Sequence, residues 1–62
     1  MISVKEMKCI KRLAETEKQL VNEYDLLYHE AKEPQLKSDL QSICASHKNH
    51  LSDLIKLLEE NQ

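Results

Sequence analysis

The 62-residue sequence predicts an all-α fold: a helical hairpin that dimerises into an antiparallel four-helix bundle. Three observations predict it. Gly, Phe and Trp are absent, Pro occurs once, and Leu, Lys and Glu, all strong helix formers, dominate the composition. Apolar residues recur at alternating steps of three and four in two runs separated by the single proline. A chain below about 70 to 80 residues also rarely gains more than roughly 3 to 5 kcal/mol from its own core, so it needs disulfides, a metal or a partner chain.

The first helix is expected over about residues 4–32. Ser3 and Glu6 form the S-x-x-E pattern of a capping box, and Ile2 and Met7 occupy the positions of a hydrophobic staple, which places the start at about Val4. Its stripe is Met7, Ile10, Ala14, Glu17, Val21, Tyr24, Tyr28 and Ala31, widened by Leu13, Leu20 and Leu27. Glu17 is the one charged residue in it.

A turn is expected at about 32–34. Pro34 suits the first position of a helix and biases Glu33 toward extended dihedrals. The stripe would continue at Gln35 and Ser38 but restarts out of phase at Leu36, which favours a hairpin over one long kinked helix. The second helix, about 34–60, carries Leu36, Leu40, Ile43, His47, His50, Leu54 and Leu57, flanked by Cys44, Leu51 and Leu58. Residues 1–62 thus read as a single helical hairpin, near 40 Å long at about 1.5 Å per residue. One hairpin cannot cover its own apolar face, and the simplest closed partner is a second copy, giving a homodimer. An unidentified protein partner is the other expectation for so interactive a surface.

Three polar residues on the stripes form the candidate site. If the turn centres between residues 33 and 34, antiparallel neighbours carry numbers adding to about 67, which sets Glu17 opposite His50 and Leu20 opposite His47. Glu17, His47 and His50 then share the middle of the hairpin, where the two-fold axis of a fully overlapped dimer passes. Imidazoles and carboxylates projecting inward from facing helices are how four-helix bundles bind metals, and His residues at i and i+3 stand on one face. The expected cofactor is a divalent transition metal: zinc, nickel, copper or iron. The same layer also suits a metal-free device that sets register and dimer state by hydrogen bonding. His29 lies off the stripe and reads as solvated.

The segment from Glu15 to Leu58 resembles the helix pair of the spore coat protein F family in the ferritin-like superfamily. The likeness rests on Glu17 and Lys18, on Tyr24, on a turn with Glu30, Ala31, Pro34 and Leu36, and on a His-bearing second helix. That resemblance implies a ferritin-like metal site in which Glu17 matches the first ligand and His50 the terminal His. His47 stands where such sites carry a second Glu, which implies one metal per dimer, or a family member that has lost its metal, rather than a dinuclear iron centre. The stretch "SICASHKNHLSDL" is similar in character to the second helix of Rop, the plasmid copy-control hairpin that binds paired RNA loops. On that alternative, Lys5, Lys8, Lys11, Arg12 and Lys18 face phosphate. Pairing of Lys5 and Lys8 with Glu59 and Glu60 is the competing expectation.

The remaining features exclude more than they assign. The net charge is -2 with charges mixed, so no nucleic-acid or membrane partner is expected from bulk electrostatics. The N-terminal residues contain neither a signal peptide nor a membrane span, which makes the cytoplasm the expected compartment. Cys9 and Cys44 read as a surface thiol and a small buried hydrophobe, too far apart in a hairpin to form a disulfide. Tyr24 and Tyr28 read as core aromatics with a hydroxyl at the edge, and a hydroxyl of Tyr24 donating to the polar layer is the alternative. No Ser/His/Asp arrangement, Gly-rich phosphate loop or Cys-pair zinc signature occurs, and no enzyme activity is expected.

Overall fold

The computed structural model describes residues 2–61. Two 27-residue helices, α1 (Val4–Glu30) and α2 (Pro34–Glu60), pack antiparallel as a hairpin measuring 46 × 14 × 11 Å. The capping box at the head of α1 is complete. The Glu6 amide donates to Ser3 Oγ at 3.0 Å, the Ser3 amide donates to Glu6 Oε1 at 2.8 Å, and the staple positions Ile2 and Met7 are both half-buried. These bonds to the charged carboxylate hold Glu6 below its ordinary pKa, the Ser3 backbone amide contributing most and its hydroxyl next.

α1 stops two residues earlier than its pattern predicts. Ala31 turns extended (φ -67°, ψ 139°) while its amide still donates to the Leu27 carbonyl at 2.9 Å. His29 Nδ1 donates to the Asp25 carbonyl at 2.7 Å, one turn back. Glu33 is extended, as the residue before a proline should be, and its carboxylate accepts from the amides of Gln35 (3.1 Å) and Leu36 (2.6 Å). Pro34 then occupies the first turn, where its missing N–H leaves no bond unmade. Lys37 clasps the two helices beside the turn, donating from Nζ to the Tyr28 carbonyl and lying 4.3 Å over the Tyr28 ring.

The earlier position of this turn corrects the register. Non-helical residues 31–33 centre the hairpin on Lys32, so Glu17 meets His47 and the Cys44 thiol meets the Val21 carbonyl at 3.7 Å. Facing residues therefore carry numbers adding to about 64 rather than 67, a slide of nearly one helical turn. Leu20 is level with Ile43 and Cys44, not with His47. Leu13 is level with His50, and Leu27 with Leu36.

The spacing predicts most of the α1 stripe: Met7, Ile10, Ala14, Glu17, Leu20, Val21, Tyr24, Tyr28 and Ala31 are all half-buried, but Leu13 and Leu27, expected to widen it, are exposed. α2 is rotated relative to its predicted stripe. Leu40, Cys44, His47, Leu51, Leu54 and Leu58 turn toward α1, while Leu36, Ile43, His50 and Leu57 stand on an exposed edge. Only Leu40 (9% exposed) and Cys44 (6%) are buried among the described residues, so the hairpin holds almost no closed core. Its accessible surface is 5026 Å², against roughly 4,200 Å² for a compact protein of 7.3 kDa. Among the described residues, no helix is long and apolar enough to cross a membrane.

Candidate metal centre

Glu17 lies at the midpoint of α1 and His47 at the midpoint of α2. The register places them side by side, and His50, one turn further along α2, leans back toward the same point because helical side chains tilt toward their own N-terminus. His47 Nδ1 is 2.7 Å from Glu17 Oε2, a hydrogen bond in which the imidazole donates to the carboxylate. His50 Nδ1 is 3.8 Å from the same oxygen. Among the described residues this is the one group of three such side chains whose ligand atoms gather, all within 4.8 Å of one another.

The surroundings rank the three. The side chains of Glu17 and His47 are 19% and 21% exposed, while that of His50 is 60% exposed. The Tyr24 ring stacks on the His47 imidazole, with centroids 5.3 Å apart and planes 13° from parallel. Tyr24 thus meets the layer through its ring, as a packed aromatic rather than as the hydroxyl donor of the alternative reading. His50 meets His47 edge to face at 5.8 Å. Glu17 and His47 form the settled part, and His50 is free to swing.

The donor set suits a divalent transition ion. Two imidazole nitrogens and one carboxylate oxygen match the three-protein-ligand sites that bind zinc with a fourth position left for another ligand. Bonds of about 2.0 to 2.1 Å in a tetrahedron put donor atoms roughly 3.3 Å apart. Closing from 4.8 Å to that spacing takes a swing of His50, and opening the Glu17–His47 pair from 2.7 Å takes the loss of its shared proton. The first is a rotation of an exposed side chain, and the second a separation of under about 1 Å between two half-buried ones.

Other sequence candidates come apart. His29 is exposed and bonded to its own helix, its Nδ1 also 3.8 Å from Asp25 Oδ1. Cys9 is an exposed free thiol and Cys44 a buried one. Lys5, Lys8, Lys11, Arg12 and Lys18 are all exposed, and among the described residues neither Lys5 nor Lys8 pairs with Glu59 or Glu60. The expected pairing fails because long exposed side chains gain little from fixing one another in water. The sequence brings Glu17, His47 and His50 to one layer, as the structure does; what it missed is that His47 rather than His50 is the direct neighbour of Glu17. The signal was in the turn: α1 ends at Glu30 and α2 begins at Pro34, which leaves residues 31–33 between them, centred on Lys32. No protein-family model matches this chain, and no curated protein or solved structure does either, so its own side chains are the guide to its chemistry.

Proposed function

We propose that this protein is a metal-binding helical hairpin that works as a homodimer, two hairpins closing into an antiparallel four-helix bundle around a divalent transition ion. Its role is that of a structural or interaction module rather than an enzyme, and zinc is the first metal to try. The observation that carries this reading is the convergence of Glu17, His47 and His50 at the midpoints of both helices, with ligand atoms within 4.8 Å. The dimer is supported by the exposed edge of Leu13, Leu27, Leu36, Ile43 and Leu57, each 40% to 49% exposed. The resemblance to ferritin-like spore coat hairpins agrees with both parts. His47 in place of a second Glu points to one ion rather than a dinuclear iron site.

The 2.7 Å bond between His47 and Glu17 favours a second reading, in which the pair is complete without metal and serves to fix register. Equilibrium dialysis of purified protein against zinc and nickel, with the bound metal counted and the mass in solution measured, decides between them. Metal retained by the wild type and by His29→Ala, and lost by Glu17→Ala and His47→Ala, supports the metal site. A dimer that retains neither metal leaves the register role.

A further inference from the structure

We infer that the exposed apolar edge is the seam with a second copy of this chain, and that the two copies share a single ion on their two-fold axis, held by Glu17 and His47 of each. This rests on the metal-binding reading above and specifies how the site is completed.

The edge is built for a long, straight partner. Leu13, Leu20 and Leu27 on α1 and Leu36, Ile43 and His50 on α2 repeat every seven residues, and the register sets them level in rungs: Leu13 with His50, Leu20 with Ile43, Leu27 with Leu36. Because the helices are antiparallel, the same angular offset on each brings both series to one side of the hairpin. The opposite side is mixed: a shallow groove there is lined by Asp25, Tyr28, Gln41, Cys44, Ala45 and Lys48, and Ile55 beyond it is 42% exposed. The continuous ladder of level apolar rungs is on the first side, which is the one that fits a long, straight partner.

The area has the right size. The surface exceeds that of a compact protein of this mass by roughly 800 Å², about what one partner contributes to a standard interface. Symmetry then selects the second copy. With turns at opposite ends and full overlap, a two-fold axis perpendicular to the hairpin passes through the midpoint of both helices, which is Glu17 and His47. That layer alone meets its own image. The rung of Leu20 and Ile43 meets Leu13 and His50 of the other copy, and the layer of Tyr24 meets that of Ile10, which pairs large with small. Turns at the same end would stack both Tyr24 rings in one layer and both Ile10 side chains in another, an uneven fill.

Charge and coordination complete the argument. One hairpin offers a single carboxylate, which leaves a dication half neutralised in a partly buried place; two carboxylates balance it. Glu17 and His47 from both copies make four ligands, a closed tetrahedron of the structural kind. His50, one layer off the axis, then acts as a positioning residue that holds the Glu17 carboxylate.

The test uses wild-type protein and Zn²⁺ alone. Calorimetric titration and native mass spectrometry should give one zinc per two chains, and apparent zinc affinity should fall at least about tenfold when the protein is diluted through its dimer dissociation range. His47→Ala should abolish binding, while His50→Ala should weaken it and keep the stoichiometry. Ile43→Glu, a charge in the rung beside the axis, should give monomers without zinc affinity; if it unfolds, the wild-type dilution series decides. One zinc per chain, or affinity unchanged on dilution, overturns the shared site and leaves a metal site within each hairpin. A dimer with no zinc bound overturns the metal reading itself, and the shared site with it.

Discussion

Glu17 and His47 form the most informative pair to disrupt, because removing one partner and removing both have opposite consequences. In chelator-treated protein, Glu17→Leu leaves the His47 imidazole against α1 without its acceptor, and His47→Leu leaves the carboxylate with only His50 at 3.8 Å. A hydrogen bond to a charged group contributes about 1.5 to 3 kcal/mol, and side chains roughly one-fifth exposed keep part of their hydration, so about 2 kcal/mol per chain is the expected loss. For a domain of this length, about 4 to 8 °C of melting temperature follows each kcal/mol, so either single variant should melt roughly 8 to 16 °C lower. The double variant replaces a hydrogen-bonded pair with two leucines at the centre of the stripe, and removing both partners together leaves no group unpaired, so it should be nearly neutral or stabilising. Thermal melts followed by circular dichroism at one protein concentration make the comparison. Single variants within about 0.5 kcal/mol of wild type, or a double variant showing the sum of both losses, would refute the coupling inferred from the 2.7 Å contact.

Other perturbations address the ends and the thiols. Ser3→Ala removes the acceptor for the Glu6 amide and should destabilise the protein by about 1 kcal/mol, read as a fall of roughly 4 to 8 °C in melting temperature. Folding lowers the Glu6 pKa from its ordinary 4.5, so the folded state binds fewer protons there than the unfolded chain; its contribution is whole above pH 4.5 and disappears as pH falls through the lowered value. Melts of wild type and Glu6→Ala should therefore differ at pH 6 and converge toward pH 2; a constant gap would count against the capping box as its source. Alkylation followed by mass spectrometry should modify the exposed Cys9 quickly and the buried Cys44 only as fast as the hairpin opens, whereas equal rates would contradict the packing of Cys44 beneath Val21.

How far the site was legible depends on which physical quantity each feature needs. Glu17, His47 and His50 stand out in the sequence because they interrupt apolar stripes, and a stripe position is a statement about one helix. Which of them touch is a statement about two. His50 does come within 3.8 Å of Glu17, but the level partner of Glu17 is His47, three residues away, the consequence of a turn centred on Lys32 instead of between Glu33 and Pro34. Lys5 stays level with Glu59 in the observed register and still does not pair with it, since level side chains in water need not meet, while Lys8 slides to the level of Lys56.

The sequence by itself determined the class of structure and the ends of its parts. Ser3 and Glu6 start α1 because their side chains satisfy each other's backbone amides, Pro34 starts α2 because it has no amide to satisfy, and the spacing from Met7 to Ala31 names the packed face of α1. The tertiary structure alone decided the slide of one helix along the other and the rotation of α2, which turns Leu40, Cys44 and His47 toward α1 and leaves Leu36, Ile43 and His50 open. An apolar stripe spans an arc of a helix wider than one neighbour covers, and its period is the same along both edges. Local spacing therefore specifies which side is apolar, and only the path of the chain through residues 31–33 specifies which edge of that side meets the other helix and which is left exposed.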